Sequence, residues 1–73
     1  MIRARFEELT HREREVMALV VAGRPNKQIA LDMAISMTTV KLHRGQVMRK
    51  MGAPSLAELV RMVESLKFSR PKV

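Results

Sequence analysis

The chain has 73 residues, no cysteine, and fourteen lysines and arginines against seven aspartates and glutamates, a formal net charge of +7. That length holds one small domain, and the missing cysteines exclude a disulfide framework and a thiolate metal site. The longest apolar run, Val16 to Ala22, falls far short of the ~20 residues that span a bilayer. The excess positive charge points to an anionic partner, most commonly nucleic acid.

The charge is unevenly placed. Four of the acids, Glu7, Glu8, Glu13 and Glu15, precede Gly23, whereas Arg24 to Lys50 holds six basic residues and only Asp32 on the acidic side. Residues 1–8 pair Arg3 and Arg5 with Glu7 and Glu8, which reads as a linker or lead-in helix and not as a signal peptide. The string T-H-R-E, Thr10 to Glu13, has the form of a capping box. Val16, Met17, Leu19 and Val20 follow at helical spacing and Gly23 supplies a stop, so a first helix is expected at about 11–22. Pro25 prevents continuation and Asn26 is a suitable N-cap for a short second helix, about 27–33, with Ile29, Ala30 and Met33 as its apolar stripe.

Ala34 and Ile35 make a turn, with Ala30 and Ala34 small enough for close helix crossing. Ser36 caps a third helix, about 37–51, which ends at Gly52 with Pro54 beyond it. A second capping box, S-L-A-E at Ser55 to Glu58, opens a fourth helix at about 56–66. Residues 67–73, K-F-S-R-P-K-V, read as a basic flexible tail. No segment alternates as a half-buried strand does. The expected architecture is all-α, a four-helix bundle containing a helix-turn-helix, with one domain over residues 9–66.

A helix-turn-helix presents the N-terminal half of its second helix to base edges. In the third helix the outward positions are taken as Thr38, Thr39, Lys41, Leu42, Arg44 and Gly45. Lysine and arginine donate to guanine or phosphate, leucine meets a thymine methyl, and glycine allows close approach. Arg49 and Lys50 are expected near the phosphate backbone. Helix N-termini attract phosphate, which adds Asn26 and Lys27 at the second helix and Ser36, Thr38 and Thr39 at the third. The same residues have plainer roles: Lys41 and Arg44 also suit a solvated face, Thr39 a helix start, and Ser36 an N-cap. His43 falls beside Val40 and Val47 and reads as a packing residue. His11 is expected exposed, and the seven methionines read as core fillers. No catalytic triad, carboxylate pair or glycine-rich phosphate loop is visible, so neither enzymatic activity nor a cofactor or metal is expected.

Taken together, L-T-H-R-E-R-E-V (Leu9 to Val16), G-R-P-N-K-Q-I-A (Gly23 to Ala30) and T-V-K-L-H-R-G-Q-V-M-R-K-M-G (Thr39 to Gly52) closely resemble the LuxR/FixJ-type helix-turn-helix domain, the output module of many bacterial two-component response regulators. The resemblance covers roughly Phe6 to Leu66. It implies a cytoplasmic transcription regulator that binds double-stranded DNA as a homodimer on two half-sites, with the third helix in the major groove. It places base reading at Lys41, Leu42 and Gly45, with Arg44 beside them, and phosphate contacts at Asn26, Lys27, Thr38, Thr39 and Lys50. It places the dimer contact on the fourth helix, whose apolar positions include Leu56, Leu59, Val60 and Val63. Gly45 departs from the family by lacking the side chain many members carry there. In the intact regulators a receiver domain controls the output helices, and RNA polymerase is a further partner. A sigma-factor region-4-like promoter module shares the L-T-x-R-E-R-E-V opening and is the alternative, with a protein-interaction module as a third reading.

Overall fold

The computed structural model describes residues 2–68. It contains five helices in the order α1 (Ile2–Glu7), α2 (His11–Val21), α3 (Asn26–Met33), α4 (Met37–Met51) and α5 (Leu56–Phe68). The four expected helices are α2 to α5, and the lead-in segment adds α1. Arg5 explains why that short segment is docked: its Nη1 donates to the Met51 carbonyl oxygen at 3.2 Å, satisfying one of the free acceptors at the end of α4. Phe6 packs against the core, and the Arg14 guanidinium lies 4.4 Å from its ring centre. The expected tail is shortened from its start, because Lys67 and Phe68 belong to α5. The remainder of that expectation, residues 69–73, lies outside the described residues.

Helix starts follow the sequence signals at α2, α4 and, through the Ser55 hydroxyl, α5, and depart from them at α3. Thr10 caps α2 through Glu13 N–H, and the Glu13 carboxylate accepts from Thr10 N–H, so the capping box is complete. Ser36 caps α4 by accepting from Thr39 N–H at 3.0 Å. At α3, however, the cap is Pro25, and Asn26 is the first helical residue. Proline presets an extended cap geometry, its carbonyl accepts from Ile29 N–H at 3.0 Å, and the Asn26 side chain is engaged elsewhere. Before α5, Ser55 Oγ accepts from Glu58 N–H at 3.2 Å, while the Glu58 carboxylate faces Arg61.

Three helix ends close in the same way, with nested backbone bonds that satisfy terminal carbonyls. After α2, Arg24 N–H reaches Leu19 O and Gly23 N–H reaches Val20 O. After α3, Ile35 N–H reaches Ala30 O and Ala34 N–H reaches Leu31 O. After α4, Ala53 N–H reaches Met48 O and Gly52 N–H reaches Arg49 O. Each motif needs one left-handed residue. Glycine supplies it at Gly23 and Gly52, but Ala34 adopts it with φ of 56°. Ala34 is exposed, so its role is this turn and not the close packing expected of it; Ala30 alone is buried at the crossing.

The core is built around α4. Val40, Val47 and Met51 recur along one face of that helix and are fully buried with Val16 of α2, Ile29 of α3 and Leu59 of α5. Each such side chain contributes up to about 1.5–3 kcal/mol by leaving water. Packing against both α2 and α3 leaves α4 with one long side to present outward. Met17, Met51 and Met62 fill the core as expected, whereas Met37 is exposed.

Candidate nucleic-acid interface

On α4 the side opposite Val40, Val47 and Met51 carries Thr38, Lys41, Leu42, Gly45 and Arg49, all exposed. Their spacing of three or four residues places them along one stripe. Leu42 is 60% exposed, a large apolar group at the middle of a basic, hydroxyl-bearing surface. A Cβ added at Gly45 would meet nothing within 4 Å, so the stripe is open at its centre. Arg49 remains exposed beside Gln46, with which its guanidinium is hydrogen-bonded.

The N-terminus of α4 is prepared locally. Ser36 Oγ and Thr39 Oγ1 lie 2.9 Å apart and share a hydrogen, so these two hydroxyls are held together at the helix start beside exposed Thr38. Lys27 is exposed in the first turn of α3. The uncapped amide groups of that turn carry the positive end of the helix dipole.

Three of the expected site residues face elsewhere. Arg44 is half-buried: its Nη1 donates to Asn26 Oδ1 at 2.6 Å, and it lines a narrow apolar space with Val16, Val20, Val47, Met48 and Leu59. Helical periodicity contains the reason, since Arg44 lies four residues after Val40 and three before Val47, on the buried side. Lys50 also turns inward. Its Nζ lies 2.8 Å from Glu13 Oε1, with the two side chains 21% and 7% exposed. Burial raises the Glu13 pKa, but the hydrogen bond from Lys50, those from Thr10 and the Lys50 charge outweigh it and hold the carboxyl below its ordinary value. This pair joins the start of α2 to the end of α4. No local sequence pattern marks it, because the partners are 37 residues apart.

Leu59 is the third. It is fully buried inside the domain and is therefore a core residue, not a free dimer contact. Leu56 is 44% exposed, Val60 and Val63 are half-buried, and these three remain at the accessible side of α5. His43 is half-buried, as its place beside Val47 predicts. Leu31 of α3 was not singled out by the sequence and is 67% exposed; its place off the Ile29–Met33 stripe was the available signal.

A short helix, a tight left-handed turn and a longer helix with an open basic face define a helix-turn-helix DNA-binding domain. The family described as bacterial regulatory proteins, luxR family, matches residues 7–63, and the chain belongs to that family. It is 59% identical over 61 residues to the transcriptional regulatory protein FixJ of Rhizobium meliloti, covering 84% of this chain and 30% of that protein. It is 48% identical over 68 residues to nodulation protein W of Bradyrhizobium diazoefficiens, covering 93% of this chain and 30% of the relative. Among solved structures, the response regulator StyR superposes with a TM-score of 0.86 at 44% identity, over 88% of this chain and 32% of that one. Full-length FixJ from B. japonicum superposes with a TM-score of 0.84 at 43% identity, over 94% of this chain and 34% of that one. The chain thus spans about a third of the length of the relatives it matches. The family match decides between the readings open at the sequence level, for a luxR-type output domain and against a sigma-factor or non-DNA module. Among the described residues no helix is long and apolar enough to cross a membrane.

Proposed function

We propose that α4 enters the major groove of double-stranded DNA with Lys41 and Leu42 at base edges, and that Gly45 brings the helix backbone close to the bases between them. Asn26, Lys27, Ser36, Thr38, Thr39 and Arg49 hold the flanking phosphates. Two copies occupy two half-sites and touch through Leu56, Val60 and Val63 of α5. The chain serves as the output part of a cytoplasmic two-component response regulator, under a receiver domain and acting on RNA polymerase. The observation that carries this reading is the continuous exposed stripe from Thr38 to Arg49 on a helix whose opposite side is locked into the core. A rigid helix with one free basic face fits the groove without rearrangement.

The test is binding to a duplex selected from a random pool, measured beside a scrambled duplex across a salt series. Several phosphate contacts require affinity to fall steeply with salt. Lys41→Ala is expected to cost about 1–3 kcal/mol on the selected duplex and little on the scrambled one, while Lys27→Ala weakens both equally. A flat salt dependence, or equal losses for Lys41→Ala on both duplexes, rules out this arrangement.

A further inference from the structure

We propose that Arg44 is a positioning residue of the DNA-binding face, which orients the Asn26 amide and fixes α3 against α4, and that it contacts neither a base nor a phosphate. This rests on the DNA-binding reading above. Arginine only donates hydrogen bonds, so the Asn26 atom 2.6 Å from Arg44 Nη1 is the carbonyl oxygen Oδ1. With that oxygen held on the arginine, the amide NH2 lies on the other branch of the side chain. Asn26 is therefore fixed in the orientation that offers donors, the form an anionic phosphate accepts from.

The rest of the geometry supports the same role. Asn26 is not needed as a helix cap, because Pro25 occupies that position and no side chain caps α3. Arg44 shares the lining of a narrow apolar space with Val16, Val20, Val47, Met48 and Leu59, so it sits where α2, α4 and α5 meet while its guanidinium bonds to α3. Lys41, Leu42 and Gly45 are exposed on the other side of α4, while Arg44 is half-buried. The hydrogen bond spans 18 residues and directly joins the two helices of the helix-turn-helix. A charge-assisted bond of this kind, partly shielded from water, is stronger than a neutral one. Arg44 thereby sets both the donor at the start of α3 and the position of α3 relative to the helix in the groove.

The experiment measures affinity for the selected and scrambled duplexes, and its salt dependence, alongside thermal stability. Arg44→Met keeps the apolar stem and removes the donors. It is expected to weaken both duplexes equally, by roughly tenfold, with the specificity ratio and the salt slope unchanged. Asn26→Asp keeps an acceptor for Arg44 but replaces the NH2 by a carboxylate oxygen. It should hold or raise the melting temperature while weakening both duplexes at least as much. With Asn26→Ala measured alone, the double variant Arg44→Met/Asn26→Ala should lose no more affinity than the larger of the Arg44→Met and Asn26→Ala losses, because the two residues act as one unit.

A collapse of the specificity ratio in Arg44→Met would show that Arg44 reads bases. A salt slope lowered by about one would show that it neutralises a phosphate. Additive losses in the double variant would show independent roles. Each of these overturns the proposal while leaving DNA binding in place. Failure of the unmodified chain to bind either duplex overturns the functional reading itself and takes this inference with it.

Discussion

Ala34 shows how one backbone angle shapes the helix-turn-helix. Its left-handed conformation, φ of 56°, closes the nested bonds after α3 and turns the chain into α4, but a Cβ there is strained by about 1 kcal/mol or more. Ala34→Gly is expected to stabilise the fold by about 0.5–1 kcal/mol, the relief of strain exceeding the added freedom of the unfolded chain, as read from a denaturant midpoint. Glu13 is the second residue with a measurable consequence. Its folded carboxyl titrates below its ordinary value, so the unfolded state binds the proton first and the pair stabilises the fold at neutral pH. That contribution begins to fade as pH falls through the ordinary glutamate range and is gone below the depressed value. Glu13→Gln should lower neutral stability by about 1–3 kcal/mol, because Lys50 loses its counter-charge. It should also make the melting temperature less sensitive to acid than that of the unmodified chain. A parallel acid profile in both proteins would show that Glu13 is not responsible.

At the scale of elements, α5 divides into a buried side and an accessible side. Leu59 and Met62 are buried in the domain, and Leu56 is exposed. Leu59→Ala is expected to cost about 2–5 kcal/mol of stability, as deletions at full burial do, with the loss visible in thermal unfolding. Leu56→Asp, on the accessible side, should change stability by no more than about 0.5 kcal/mol. It should reduce cooperative binding to a duplex with two half-sites while single half-site affinity stays the same. Unchanged cooperativity would remove α5 from the contact between copies. The apolar repeat of α5 was legible in the sequence, but its division was not. A run such as Leu56, Leu59, Val60 and Val63 covers more than one face of a helix, and only the position of α2 and α4 determines which members are enclosed.

For the molecule as a whole, the domain acts as a mount for α4. α1 ties the end of α4 through Arg5, the Lys50–Glu13 pair joins that same end to the start of α2, and Arg44 links its middle to α3. The three links constrain the helix from the side away from the open stripe. Half-sites about one turn of DNA apart are therefore expected to be preferred by two copies, and a binding series with half-site spacing varied base pair by base pair checks it. A flat response to spacing would show that the two copies bind independently.

The sequence alone determined the four main helices, their approximate ends and the helix-turn-helix, because capping boxes, glycine stops and 3.6-residue periodicity are local signals carried by neighbouring residues; the family was legible only through the resemblance of its three motif blocks. Of the basic positions on α4, Lys41 and Arg49 emerged exposed as read. The tertiary structure decided the rest. It turned Lys50 onto Glu13, Arg44 onto Asn26 and Leu59 into the core. Charge type does not report direction: a lysine or arginine on a helix faces water or a partner according to what other segments place beside it, and those partners lie 37 and 18 residues away.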